Sequence, residues 1–214
     1  MNNSDILTLT QWLSPSYPVG AFSYSHGLET AISEGLIGDA DTLFDWLSDL
    51  LRFGSGKTDA VLLVAACRAS NPLELKDISD IAEALCPSRE RRSETLQQGA
   101  AFVRTTNAVM EMELASGPYP VVVGAAASLK KIDLETTAYM YLHAFVSNLI
   151  SAAVRLVPLG QTDGQKCLSR LSGVCRGVAG KALESSVADL GSCSFASDIM
   201  SMRHETQRTR LFQS

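Results

Sequence analysis

The 214-residue sequence predicts an all-α fold, a single-domain bundle of about eight to ten helices. Three observations carry this. Apolar side chains recur at three- and four-residue steps along most of the chain. Gly, Pro and capping residues punctuate it at helical rather than strand lengths. No repeat or low-complexity linker divides it, so residues 1–214 read as one domain, with 198–214 as a tail.

Taken in order, Asp41 to Phe53 sets Leu43, Leu47, Leu50 and Leu51 on one face, and Gly54 follows as a C-cap. Thr58 to Ser70 is apolar nearly all round, the pattern of a central buried helix. Leu75 to Leu85, stopped by Pro87, and Ser88 to Leu114, stopped by Gly117-Pro118, complete the first half. Val121-Val122-Val123 is the one strand-like triplet, but it follows Pro120 and leads into Gly124-Ala125-Ala126-Ala127, so it reads as helix.

The strongest periodicity joins Leu142, Phe145, Val146, Leu149, Ile150, Ala153, Val154 and Val157 in a stripe, with Asp133 as N-cap and Pro158 and Gly160 as the stop. Thr162-Asp163-Gly164-Gln165 has the form of a capping box for a last long helix reaching to about Leu190. Gly173, Gly177 and Gly180 within it are expected to admit another backbone closely.

Composition excludes several classes. A net charge of -5 argues against a broad nucleic-acid footprint. The longest apolar run, Ala60 to Cys67, is far short of the ~20 residues that cross a bilayer. Met1-Asn2-Asn3-Ser4-Asp5 lacks a basic leader region, so a cytoplasmic location without membrane or nucleic-acid partners is expected. Five cysteines without a C-x-x-C read mostly as buried free thiols. Charged residues make up 19% of the chain against about 25% in an average domain, which suggests that a partner covers part of the surface.

The motifs are sparse. Gly54-Ser55-Gly56-Lys57-Thr58 ends like a phosphate-binding loop, but the earlier glycine that loop requires is replaced by Leu51, inside a helical pattern, so a helix–helix joint is the reading. His204-Glu205 starts an H-E-x-x-H, but Arg208 stands where the second histidine belongs. His143 reads as a core or boundary residue. His26 and His204 are weak candidates for transient metal contact, and no catalytic signature is found. Ser88 to Glu94 reads as a solvated, mixed-charge helix start, with an arginine reaching a partner as the lesser reading. The tail joins Arg203, His204, Glu205, Arg208 and Arg210 to Leu211 and Phe212, the anchor types that dominate interfaces. It is expected to order against a partner.

Three blocks carry a resemblance. The first runs Trp12-Leu13-Ser14-Pro15-Ser16-Tyr17-Pro18-Val19-Gly20-Ala21-Phe22-Ser23-Tyr24-Ser25-His26-Gly27-Leu28-Glu29. The second runs from Ser147 to Gln165 and holds Arg155, Pro158, Gly160, Gln161, Asp163, Gly164 and Gln165. The third is Asp198 to Phe212. Together they resemble the urease accessory protein family UreF, departing at Ala21 and His26. The signature positions are Pro18, Gly20, Phe22, Ser23, Tyr24, Ser25, Gly27 and Glu29 in the first block, with the seven named in the second.

The resemblance implies an all-helical, homodimeric, non-catalytic chaperone component that assembles with UreD/UreH and the GTPase UreG on apo-urease. Nickel would be handled by the complex and GTP bound by UreG, so no tightly held cofactor, catalytic residue or permanent metal ligand is expected in this chain. Control of the GTPase, by regulating its activity or by positioning it for nickel release, is a further expectation; no arginine finger is nominated, because sequence does not choose among Arg89, Arg91, Arg92, Arg104 and Arg155. The alternatives are a small helical metal- or nucleotide-binding enzyme and a purely structural adaptor.

Overall fold

The computed structural model describes residues 3–214; Met1 and Asn2, part of the leader reading, lie outside the described residues. Ten α-helices follow one another: α1 (Asn3–Trp12), α2 (Leu28–Ser33), α3 (Ala40–Phe53), α4 (Ser55–Arg68), α5 (Pro72–Ala84), α6 (Arg89–Met110), α7 (Tyr119–Lys130), α8 (Leu134–Leu156), α9 (Gln161–Glu184) and α10 (Phe195–His204). The described residues contain no strand.

The all-round apolar helix α4 occupies the centre and packs against α3, α5, α7, α8 and α9. Its crossing with α7 is close enough to require a glycine. A Cβ on Gly124 would stand 2.3 Å from the carbonyl oxygen of Leu63. The long stripe of α8 is buried against α9, where Gly164 faces Ile150 and Val154. One apolar core runs through these helices and takes in Leu9, Trp12 and Phe212 from the two ends of the chain. A smaller core lies under α5.

Local chemistry sets the boundaries. Asp39 and Thr42 form a capping box at the start of α3. Asn71 caps α5, with Pro72 at the first helical position, so this helix begins three residues before the apolar pattern does. Ser88 caps α6, and Asp133 caps α8 as the sequence predicts. Gly54 alone separates α3 from α4, so Gly56-Lys57-Thr58 lie in the first turn of α4.

Several expectations are corrected. Helix α9 begins at Gln161 with Gly160 as its cap, so Thr162 to Gln165 lie within its first turn and form no capping box. The helix stops at Glu184 and not near Leu190; a 3-10 turn covers Val187–Asp189. Gly173, Gly177 and Gly180 admit no close neighbour, because nothing lies within 4 Å of where their Cβ atoms would be. All five cysteines are free, but only Cys167 and Cys175 are buried; Cys67 and Cys86 are half-buried and Cys193 is exposed.

Candidate functional site

The first signature block leaves α1 and turns back sharply before α2. Gly20 and Gly27 adopt left-handed backbone angles, and so does His26 between Ser25 and Gly27, at φ 55°. A non-glycine residue in this region carries strain, and the surroundings must hold it there. Gly27 is needed for a second reason: a Cβ there would stand 2.5 Å from the backbone nitrogen of Ser201 in α10.

The loop so formed walls a cavity of about 540 Å³, open to the surface between the α1–α2 connection and α8. Its rim includes Phe22, Tyr139, His143 and Arg155, and its floor His26, Asp59, Arg91, Glu94 and Tyr141. The floor is a buried charge cluster. Glu94 pairs with Arg91 at 2.5 Å and with His26 Nε2 at 2.7 Å, while Tyr141 donates its hydroxyl to Asp59 at 2.9 Å. The run from Ser88 to Glu94 is therefore solvated on one face only: Arg89, Arg92 and Ser93 are exposed, whereas Ser88, Arg91 and Glu94 are buried. Arg91, Glu94, Gln98 and Phe102 recur at helical spacing and turn inward together.

Burial works against every charge in this cluster, and neighbours decide which charges survive. Burial alone would raise Glu94, but Arg91 and His26 hold its carboxyl down at about 2. Burial would discharge Arg91, yet Glu94 and Asp59 outweigh it and raise that guanidinium above its ordinary value. Asp59 goes the other way: burial wins over Arg91 and the Tyr141 bond and lifts it to about 6. Burial and then the Arg91 charge lower His26. An ionised Glu94 can only accept, so Nε2 of His26 carries the proton. Nδ1 is left buried with no hydrogen-bond partner in the protein, as is Nε of Arg91.

The tail closes on the other side of this floor. Glu29 accepts from the backbone N–H groups of Leu211 (2.7 Å) and Phe212 (3.0 Å). Gln213 donates to the Ser23 carbonyl, and the Ser25 N–H to Ser214 O, both at 2.7 Å. Ser214 Oγ donates to Glu94 at 2.9 Å. His204, fully buried, sets Nδ1 2.6 Å from Glu90 and Nε2 3.3 Å from Glu29.

The residues singled out in the tail thus separate into two groups. His204 and Phe212 are buried in this chain. Arg203 pairs with Glu34, Glu205 with Arg89 and Arg210 with Glu90, whereas Arg208 and Leu211 face solvent. Of the arginines weighed as partner-reaching, Arg91 is buried and Arg89 and Arg92 are in ion pairs; Arg104 and Arg155 are exposed, Arg155 on the cavity rim. Asp59 and Tyr141 carry no sequence signal, since 82 residues separate them.

The UreF family model matches residues 37–172. A urease accessory protein UreF of a Ruegeria species is 53% identical over 214 residues, the full length of both chains. Those of Cereibacter sphaeroides and Bradyrhizobium diazoefficiens are 48% and 47% identical, covering 98% and 96% of this chain. The chain belongs to the UreF family. The matched segment begins after the first signature block, but the full-length relatives cover the block, the cavity floor and the tail alike. A UreF chain is an accessory protein of urease and serves its maturation. Among the described residues no helix is long and apolar enough to cross a membrane, and no three His, Cys, Asp or Glu side chains gather as a metal set.

Proposed function

We propose that this UreF chain is a non-catalytic, cytoplasmic scaffold that docks a UreD/UreH-type partner through α10 and the tail, recruits UreG and presents both to apo-urease. The observation that carries this is the outer face of α10, where Phe195, Ile199 and Met202 are 71%, 45% and 50% exposed at helical spacing, continued by Leu211 at 75%. Apolar side chains on one helix face are the substance of an interface. His204 and Phe212 would contribute from inside, by holding the tail in its seat, while Arg208 and Leu211 would contribute directly. Nickel is cargo in this reading and GTP is bound by UreG, so the chain itself needs neither a metal cage nor a phosphate cradle.

Co-purification with the UreD/UreH partner tests the docking face. Deleting residues 203–214, or replacing Ile199 and Met202 with Ser, is expected to abolish it; undiminished co-purification refutes the docking role. Control of UreG is tested by its GTP turnover with and without the assembled complex, where an unchanged rate leaves positioning as the only role. Urease activity lost on deletion of the gene and restored by excess nickel separates a maturation component from a structural adaptor.

A further inference from the structure

One carboxylate lies between the tail and the cavity. Glu94 is 1% exposed, and its two oxygens serve different masters. Oε1 takes the Nε2 proton of His26, which walls the cavity; Oε2 takes Arg91 and the hydroxyl of Ser214. Ser25, next to His26 in sequence, binds the Ser214 carbonyl through both its N–H and its hydroxyl. The tail therefore grips the strained turn from both sides of His26, once through Ser25 and once through Glu94. We propose that Glu94 is a positioning residue that couples the seating of the tail to the shape of the cavity floor. A seated tail fixes His26 in the cavity floor, and loss of the seat frees it.

The physical basis is the left-handed backbone of His26. That conformation is disfavoured for a side-chain-bearing residue and persists only while surrounding bonds over-determine it. The Ser25 bonds and the Glu94–His26 pair are those bonds, and the tail contributes to both. With the tail gone, Ser25 loses the acceptor for its N–H and hydroxyl, and Glu94 loses one of its donors. The turn from Tyr24 to Gly27 can then relax, carrying the imidazole away from Glu94 and from the Phe145 ring, against whose edge it packs at 4.8 Å. Coupling of this kind is reciprocal: weakening the Glu94 end must loosen the tail. The functional consequence, though not the coupling itself, rests on the docking role proposed above.

The isolated full-length chain provides the test, so failure of the coupling is distinguishable from failure of partner docking. Trp12 lines the cavity, and in a Trp46→Phe background its fluorescence reports access to it. Deleting residues 211–214 is expected to raise acrylamide quenching of Trp12 several-fold and to remove the Nε2–H tautomer signature of His26 from the nitrogen NMR spectrum. Glu94→Gln, which keeps shape but not charge, is expected to speed tryptic cleavage after Arg208 at least tenfold. Arg210→Ala, which breaks only the Glu90 pair, is expected to leave Trp12 quenching and the His26 signature unchanged. Unchanged His26 and Trp12 signals after the deletion, or unchanged tail protection in a folded Glu94→Gln chain, would overturn the proposal. If Glu94→Gln does not fold, Ser214→Ala decides through the same His26 signature, expected to weaken.

Discussion

Tyr141 on α8 donates its hydroxyl to Asp59 on α4 across 2.9 Å of protein interior, joining residues 82 positions apart. The bond does not suffice to keep that carboxylate comfortable. Burial lifts Asp59 to about 6 against 3.8 in the open chain, so the folded state holds the proton more tightly than the unfolded one. The resulting stabilisation is complete below pH 3.8 and is lost as pH rises through about 6, an upper bound of roughly 3 kcal/mol at 1.36 kcal/mol per unit. Asp59→Asn, which cannot ionise, is therefore expected to gain about 1–3 kcal/mol relative to the parent between pH 5 and pH 8. Urea unfolding at the two pH values measures it, and a gain independent of pH would contradict the assignment.

Acid acts in the opposite sense on His26 and Glu94. The neutral His26 contributes stability present above pH 6.5 and lost as pH falls below it. Glu94, held at about 2, contributes stability present above 4.5 and lost as pH falls towards 2. Stability is expected to decline in two stages on acidification, the second steeper, and Glu94→Gln to flatten the second. A single transition tied to neither window in a urea–pH series would count against the cluster.

Removing one partner of a buried pair costs more than the pair contributes, because the survivor remains in the interior uncompensated. Glu94→Ala and Arg91→Ala are each expected to destabilise by about 3–5 kcal/mol, and the double variant by clearly less than their combined effect. Chemical denaturation of the three variants completes the cycle; additivity would show that the contact is not energetically coupled.

Glycines separate by what they face. Gly124→Ala would push a methyl group to 2.3 Å from the Leu63 carbonyl and is expected to cost several kcal/mol or abolish folding. Gly173→Ala meets nothing within 4 Å in the middle of α9 and is expected to stabilise by about 0.5–1 kcal/mol. Thermal melts of the pair should move in opposite directions.

The exposed Phe195, Ile199 and Met202 predict self-association of the isolated chain. Light scattering should show mass rising with concentration, and Ile199→Ser with Met202→Ser should lower it. A monodisperse monomer at high concentration would remove the case for an apolar interface here.

Sequence periodicity found the long helices because each buries one stripe, and composition explained why α4 lies at the centre. It missed the start of α5 because Asn71 and Pro72 act through backbone geometry and carry no apolar signal. It misjudged Ser88 to Glu94 because charge was taken to mean solvent, when Arg91 and Glu94 neutralise each other inside. Asp59 and Tyr141 meet only through the crossing of α4 with α8, which no local pattern encodes.

Gly27 and Ser201 touch backbone to backbone although 173 positions of chain separate them. The turn that holds His26 therefore cannot take its final form before α10 has been made. Residues 20–29 leave the ribosome early and must wait, unfinished, until α10 and the residues beyond it have followed. The turn near the beginning of the chain is thus finished by residues that come after it in synthesis, and its geometry records whether α10 has docked.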